Sequence, residues 1–216
     1  MTMPFILFDF DGTIADSIHL GLKIANSLAP SLGIKELSEE EFATVRTMSI
    51  PKALKWLKIP FYMLPKAIPL ALVEYRHLIH ELDPFPGIRE MLDELKSMGC
   101  RMALLSSNSR ENVTHFLEHH DLHHFDWVEG TSGILKKHSS IRKQIKKHKL
   151  SKHEVIYVGD EIRDIIAAHK CGLKIISVSW GFHTTDLLAG KDPDFLVDNP
   201  RQIVELIRQT STDNKR

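Results

Sequence analysis

Two aspartates follow a short apolar run near the start of the sequence, and their spacing points to chemistry. In FILFDFDGTI (5–14), Asp9 and Asp11 stand two residues apart at the end of a segment as apolar as a buried strand. A carboxylate beside a buried strand is costly unless a partner compensates it. Side chains two apart in an extended chain point to the same side, and Gly12 lets the backbone turn toward an anion. The pattern therefore indicates a functional pair.

Two further aspartates lie in the segment GDEIRD (159–164), which follows the apolar run EVIYV. Asp160 and Asp164 are four residues apart, so on a helix they share one face. Two unit charges about 4 Å apart repel by about 4 kcal/mol at an effective dielectric constant of about 20, so converging carboxylates favour a divalent cation. Oxygen ligands without a cysteine or histidine cluster favour Mg²⁺ over Zn²⁺. We therefore predict a Mg²⁺ site with four candidate ligands: Asp9, Asp11, Asp160 and Asp164.

Five apolar runs predict buried strands that alternate with amphipathic helical patterns. The runs are FILFDF (5–10), CRMALLS (100–106), EVIYVGD (154–160), KIISVSW (174–180) and DFLVD (194–198). Regular alternation of strand and helix predicts an α/β fold, a Rossmann-like three-layer core with a mostly parallel sheet. Ligands of such sheets bind at the carboxyl ends of the strands, which is where the polar candidates stand.

One segment breaks this alternation. Residues 16–86 separate the first two predicted strands and are rich in helical patterns, whereas a crossover between parallel strands needs only about a dozen residues. We predict an all-helical subdomain inserted into a discontinuous core. The predicted core comprises residues 1–15 and 87–210, and residues 211–216 are predicted to be a flexible tail.

The composition narrows the range of functions. Among 216 residues, 28 basic side chains balance 28 acidic ones, so no global charge attracts nucleic acid or anionic lipid. The basic run 136–153 fits an amphipathic helix with Ile141 and Ile145 turned to the core, and it lacks the interleaved aromatics of a nucleic-acid site. Two isolated cysteines, no signal-peptide pattern and no long apolar stretch lead us to expect a cytoplasmic protein without a membrane partner.

Taken together, the motifs resemble those of the haloacid dehalogenase (HAD) superfamily of phosphohydrolases. DFDGT (9–13) resembles the first motif, Ser107 with Asn108 the second, Lys137 the third and GDEIRD (159–164) the fourth, in the family's order. The resemblance covers nearly the whole chain. It implies that the inserted segment is a helical cap, as in phosphoglycolate-phosphatase-like members, but it does not name a substrate.

The resemblance also implies the role of each carboxylate. Asp9 would attack phosphorus to form an aspartyl-phosphate, and Asp11 would protonate the leaving oxygen and then activate water. Asp160 would complete the Mg²⁺ shell with Asp9 and the Asp11 carbonyl. Asp164 either joins the metal site, holds the lysine or caps a helix, and Glu161 is a further candidate for an outer ligand.

A second set of residues is implied to bind the phosphoryl group: Gly12, Thr13, Ser107, Asn108 and Lys137. At two of these positions the preceding residue in the sequence is an alternative candidate. Ser106 is the alternative to Ser107, and Lys136 is the alternative to Lys137, because Lys137 precedes His138 where many relatives have proline.

The resulting functional prediction is a Mg²⁺-dependent phosphatase that acts on a small phosphorylated metabolite. A phosphomutase would use the same aspartyl-phosphate intermediate and is one alternative. A non-catalytic module that binds a phosphorylated ligand is another, although intact Asp9, Asp11, Lys137 and Asp160 argue against it. We expect a monomer or a homodimer.

Overall fold

A single six-stranded sheet forms the centre of the molecule. The computed structural model describes residues 3–130 and 137–213. Within them every strand pairing is parallel, in the order β3-β2-β1-β4-β5-β6. The strands are β1 (Phe5–Phe8), β2 (Arg101–Ser106), β3 (Trp127–Gly130), β4 (Val155–Gly159), β5 (Lys174–Val178) and β6 (Phe195–Val197). The predicted α/β class and parallel sheet are confirmed, and β3 is an additional edge strand.

Ten α-helices accompany the sheet within the described residues. Those between β1 and β2 are α1 (Ile18–Leu32), α2 (Glu39–Val45), α3 (Ile50–Trp56), α4 (Leu64–Leu78) and α5 (Ile88–Ser97). Those that follow are α6 (Arg110–His119), α7 (Lys137–Lys147), α8 (Ile162–Cys171), α9 (Thr185–Ala189) and α10 (Pro200–Asp213). Short 3₁₀ turns occupy Phe61–Met63, Ile79–Glu81 and Lys152–Glu154.

The sheet is buried on both faces, as a parallel sheet requires. In β1, Ile6 and Phe8 join one hydrophobic cluster with residues of α5, α6 and α10, while Phe5 and Leu7 join a second cluster with α7 and α8. This alternation follows from the two-residue period of a strand. The result is the predicted three-layer core.

Helices α1 to α4 lie in the segment between β1 and β2 that was predicted to be an insertion, and we refer to them as the cap; α1 packs against α4. Helix α2 begins with a reciprocal capping box, in which the Ser38 hydroxyl accepts from the Glu41 amide and the Glu41 carboxylate accepts from the Ser38 amide. In the described part of the chain no single helix has the length and hydropathy of a membrane span. The bent pair Ile50–Trp56 and Phe61–Glu81, which meet at 108°, passes that test only when taken together.

The order of the strands places a crevice between β1 and β4. The chain runs outward from β1 through β2 to β3, and then outward on the other side from β4 through β5 to β6. Ligands bind at such a reversal point, beyond the carboxyl ends of the two central strands. At the other end of the chain, α10 continues to Asp213, three residues into the segment predicted as a tail, and residues 214–216 lie outside the described residues.

Candidate active site

The predicted site residues meet at this crevice. Asp9 follows the last residue of β1 and Asp160 follows the last residue of β4, and these two strands are paired in register from Phe5–Val155 to Phe8–Val158. The end of β2 supplies Ser106 and the two residues after it. Three neighbouring strands therefore deliver their polar ends to one edge, as the sequence predicted.

Asp9 is fully enclosed and tightly held. Its side chain is only 2% exposed, its backbone amide donates to the Val158 carbonyl at 2.8 Å, and its Oδ1 accepts from the Phe10 amide at 2.9 Å. Its Oδ2 forms an ion pair with the Lys137 ammonium. Burial raises the pKa of Asp9 from 3.8 to about 6, even though Lys137 acts in the opposite direction.

Lys137 bridges two buried carboxylates. Its ammonium contacts Asp9 and Asp164 and lies 5.4 Å from the centre of the Tyr157 ring. Burial alone would lower the pKa of Lys137, but the two carboxylates outweigh it and raise that pKa well above the ordinary value. The lysine is therefore a fixed positive charge beside Asp9. The alternative, Lys136, lies outside the described residues.

Asp164 serves two partners at the start of α8. Besides the Lys137 ion pair, its Oδ2 accepts from the Glu161 amide at 3.0 Å, in a reciprocal cap in which the Glu161 side chain accepts from the amide of Asp164. Asp164 is completely buried. Of the predicted roles, holding the lysine and capping the helix are both visible in these contacts.

Asp160 lies so close to two glycines that neither position has room for a β-carbon. It accepts from the Thr13 hydroxyl at 3.1 Å and from the Phe182 amide at 2.8 Å. A β-carbon added to Gly12 would lie 2.1 Å from Asp160 Oδ2, and one added to Gly181 would lie 2.2 Å from Asp160 Cβ. Burial, and then the neighbouring carboxylates, raise the pKa of Asp160 well above its usual value.

The backbone amides of the turn after Asp11 form hydrogen bonds within the turn. The Gly12 amide donates to the Ala15 carbonyl at 3.0 Å, and the Thr13 amide donates to the Phe10 carbonyl at 3.2 Å. In this conformation the two predicted phosphate-binding residues, Gly12 and Thr13, lie against Asp160 and stabilise the turn. Both amides are paired with carbonyls of the same turn.

Asp11 differs from Asp9 in its surroundings, because neutral groups hold it. Its Oδ1 accepts from the Tyr75 hydroxyl of α4 at 2.7 Å, and its Oδ2 accepts from the Asn108 amide group at 3.3 Å, with the Ser106 hydroxyl at 3.5 Å. Burial raises the pKa of Asp11, and the hydrogen bond from Tyr75 is the largest influence that lowers it again. The pKa of Tyr75 is itself raised well above 10 by burial and by Asp11, so the hydroxyl stays a donor.

The two serines at the end of β2 have different surroundings. Ser106 is buried and its hydroxyl accepts from the Asn108 amide at 2.9 Å. Ser107 and Asn108 border the open cavity above the carboxylates, and the Ser107 hydroxyl lies 3.4 Å from a guanidinium nitrogen of Arg163. The geometry thus favours Ser107 as the residue that a ligand can reach.

The site carries more negative than positive charge. Its carboxylates are Asp9, Asp11, Asp160, Glu161 and Asp164, and within the described residues its cations are Lys137 and Arg163. Carboxylate oxygens of Asp9, Asp160 and Asp164 lie within 4.8 Å of one another. Buried carboxylates at this spacing, with pKa values raised for Asp9 and Asp160, fit a divalent cation with oxygen ligands.

The cap reaches the core through a loop after β5. The Arg46 guanidinium donates to the carbonyls of Phe182 at 2.7 Å and Gly181 at 2.9 Å. His183 Nε2 is 2.9 Å from the Met48 carbonyl, and its Nδ1 accepts from the Ile162 amide at 3.0 Å. Since Phe182 also contacts Asp160, this loop joins the cap to the carboxylate cluster.

Two contributors, Tyr75 and Arg163, were missed by the reasoning from sequence. Tyr75 comes from the cap, and no spacing in the sequence relates it to Asp11. Arg46 was considered as a residue that could touch substrate, but not as an anchor of the loop at Gly181. Arg163 stands inside GDEIRD, where a basic residue within an otherwise acidic motif was a usable signal. It pairs with Glu161, Nε to Oε1 at 2.8 Å.

Comparisons with known proteins define the class of this protein. The sequence model of the haloacid dehalogenase-like hydrolase family matches residues 6–178. The chain therefore belongs to the haloacid dehalogenase-like hydrolase family, as the motifs predicted, and it is an enzyme of the hydrolase class.

A relative of known sequence agrees with this assignment, and two solved structures share the fold. A phosphoglycolate phosphatase from Synechococcus elongatus is 31% identical over 208 residues, which cover 96% of this chain and 98% of the relative. A solved structure of a predicted phosphatase from Clostridium acetobutylicum has a TM-score of 0.84 at 21% identity, covering 97% and 100% of the two chains. A haloacid dehalogenase-like hydrolase from Streptococcus pneumoniae has a TM-score of 0.79 at 22% identity, covering 94% and 98%.

Proposed function

We propose that this protein is a Mg²⁺-dependent phosphatase that hydrolyses a small phosphoric monoester through an aspartyl-phosphate on Asp9. The observation that carries the proposal is the contrast between two carboxylates only two residues apart. Asp9 is paired with the fixed positive charge of Lys137, whereas Asp11 borders the cavity and is held by neutral donors. Two carboxyl groups in different environments can perform opposite tasks in one reaction.

Asp9 has the properties of the nucleophile. Lys137 stabilises its ionised form, and the Phe10 amide fixes one of its oxygens, so the attacking atom is held in place. A carboxylate that approaches a phosphate dianion meets strong repulsion, which positive charge beside the reacting group offsets. Lys137, together with Ser107 and Asn108, would hold the phosphoryl group.

Asp11 has the properties of the proton donor. Burial raises its pKa, which favours the protonated form, and it lines the cavity in which a leaving group would sit. It would give this proton to the departing ester oxygen and then take one from the water that cleaves the aspartyl-phosphate. The short bond from Tyr75 fixes the orientation of the carboxyl group for both steps.

The carboxylate cluster would hold the metal ion. Asp9 and Asp160 supply oxygens at suitable separation, and the carbonyl of Asp11 is the further ligand that the resemblance implies. Bound there, Mg²⁺ would neutralise charge on the phosphoryl oxygens. Asp164 is already engaged by Lys137 and by a backbone amide, so its part is to position the lysine.

The test is phosphate release from an aryl phosphate, with Mg²⁺ or with a chelator, by the wild-type chain and by Asp9→Asn. We expect activity that requires Mg²⁺ and falls at least about a thousandfold in the variant. Asp16→Asn is the matched control, because Asp16 is an exposed neighbour in the same loop and its replacement should leave the rate unchanged. Equal rates for Asp9→Asn and the wild type would overturn the mechanism.

A second experiment examines the covalent intermediate. If every substrate passes through the same aspartyl-phosphate, an added alcohol should capture a constant fraction of the phosphoryl group, whatever the leaving group was. A captured fraction that changes from one substrate to another would exclude a common intermediate. Return of the phosphoryl group to another hydroxyl of the substrate itself would instead identify a phosphomutase.

A further inference from the structure

A large cavity opens directly above the candidate active site. It has a volume of about 460 Å³ and lies between the cap helices α1 and α4 and the edge of the sheet. Asp11, Asn108 and Asp160 form part of its lining. A phosphoryl group placed at Asp9 would therefore point its ester oxygen and leaving group into this space.

Away from the carboxylates, the wall of the cavity is almost entirely hydrocarbon. Helices α1 and α4 both line it with aliphatic side chains, among them Ile18, Ile24, Leu28, Leu64, Ile68 and Leu72. Most of these side chains are only half-buried in the structure. An apolar group bound between them would remove their remaining exposed surface from water, which is favourable in proportion to the area covered.

The charged groups that line the cavity are all acidic within the described residues. They are Asp11, Asp160 and Glu161. The phosphoglycolate that gives the Synechococcus relative its name carries a carboxylate in its leaving group. In this chain that carboxylate would lie among apolar side chains and near other negative charges, and no cation of the described residues lines the cavity to pair with it.

The cations of the cap are used elsewhere or lie outside the cavity. Arg46 donates to two carbonyls of the loop after β5. Lys23 pairs with Glu81 and Lys35 pairs with Glu41. The remaining lysines and the remaining arginine of the cap do not line the cavity: Lys52, Lys55, Lys58, Lys66 and Arg76.

We propose that the substrates of this site are phosphoric monoesters of apolar alcohols, whose alkyl or aryl group occupies the cavity between α1 and α4. This inference rests on the proposed phosphatase function and adds the class of leaving group. The bond from phosphorus to the ester oxygen breaks while a bond from phosphorus to an Asp9 oxygen forms, and the alcohol leaves with the proton of Asp11. Water then attacks phosphorus and gives a proton to Asp11, the bond from phosphorus to the Asp9 oxygen breaks, orthophosphate is released and the free Asp9 carboxylate is regenerated.

The first test compares kcat/KM for propyl phosphate, hexyl phosphate and 2-phosphoglycolate. Each methylene buried in the cavity should raise kcat/KM by up to about fourfold, so hexyl phosphate should exceed propyl phosphate by about tenfold or more. It should also exceed 2-phosphoglycolate. Rates that do not depend on chain length, or a preference for 2-phosphoglycolate, would overturn the inference and leave the phosphatase function intact. Failure to hydrolyse any of the three esters or an aryl phosphate would refute the phosphatase function itself.

The second test fills the cavity without disturbing the fold. Gly21 of α1 lines the cavity, and a β-carbon added there would meet nothing within 4 Å. Gly21→Leu should therefore be tolerated, since leucine also favours a helix more than glycine does. We expect it to lower kcat/KM for hexyl phosphate at least about tenfold while changing that for propyl phosphate about threefold or less. Gly21→Ala, the matched control, should change neither.

The third test introduces the missing cation. Ile68→Lys places an ammonium in the wall of the cavity, and Val73→Lys places one on the outside of the same helix, where Val73 is 57% exposed and does not line the cavity. We expect only Ile68→Lys to move the ratio of kcat/KM values toward 2-phosphoglycolate, by about tenfold or more. An equal effect of both variants would show that the cavity does not select the leaving group.

Discussion

Replacing the candidate nucleophile should make the metal-free protein more stable. The pKa of Asp9 rises from 3.8 to about 6 in the folded chain, and each pKa unit corresponds to about 1.4 kcal/mol. The ionised carboxylate therefore costs the folded state about 3 kcal/mol at pH 8. The amide introduced by Asp9→Asn would keep one oxygen acceptor for two donors, and the lost hydrogen bond offsets about 1 kcal/mol. We expect a net gain of about 2 kcal/mol.

The pH dependence of this gain follows from the direction of the shift. Because folding raises the pKa of Asp9, the folded carboxyl keeps its proton to a higher pH than the unfolded one. The cost is absent below pH 3.8, grows as the pH rises through the interval to about 6, and is complete above it. At pH 5 it should amount to about half of its full value. Asp9→Asn should therefore gain most in neutral and alkaline buffer.

Urea unfolding in the presence of a chelator measures this effect. At pH 8 the midpoint of Asp9→Asn should lie about 1 M above that of the wild type, and the difference should shrink toward pH 5. Asp16→Asn, with its exposed side chain, should show no such difference. A variant that is no more stable than the wild type at pH 8, or a gain that does not vary with pH, would refute the assignment of buried charge to Asp9.

Two further predictions concern the partners of the carboxylates. Tyr75→Phe removes a short hydrogen bond that lowers the pKa of Asp11. The alkaline limb of the pH profile of kcat/KM should therefore move up by about one pH unit. Tyr62→Phe, at an exposed cap position, should leave this profile unchanged. Lys137→Met removes the ammonium from two buried carboxylates and should destabilise the protein by about 3–5 kcal/mol at pH 8. Denaturant unfolding checks this, with Lys146→Met on the exposed face of the same helix as control.

The architecture of the core could be read from the sequence because its strands are continuous apolar runs. Each of the five predicted runs contains a strand, and the parallel order brings their polar ends together. Strand β3 was missed because Trp127–Gly130 is short, half-buried and lies at the edge of the sheet. It carries neither a long apolar run nor a clear alternation.

The contributions of the cap could not be read in the same way. The helical insertion was predicted from its length, but hydrophobic periodicity gives only the face that a helix buries, not the partner that it meets. Tyr75 was an ordinary buried aromatic by that criterion, and its contact with Asp11 depends on how α4 crosses the core. Likewise Arg46 finds its carbonyl partners in a loop 135 and 136 residues away.

The charge of the site links the binding of cation and substrate. Five carboxylates face two cations in the described residues, and burial, with a further contribution from Asp164, makes the ionised form of Asp9 costly. A phosphate dianion added to this arrangement would be repelled. A divalent cation would relieve the repulsion among the carboxylates and supply positive charge to the phosphoryl group, so each ligand should tighten the binding of the other. The imbalance among these charges would thus make the site selective for a cation together with a phosphorylated substrate.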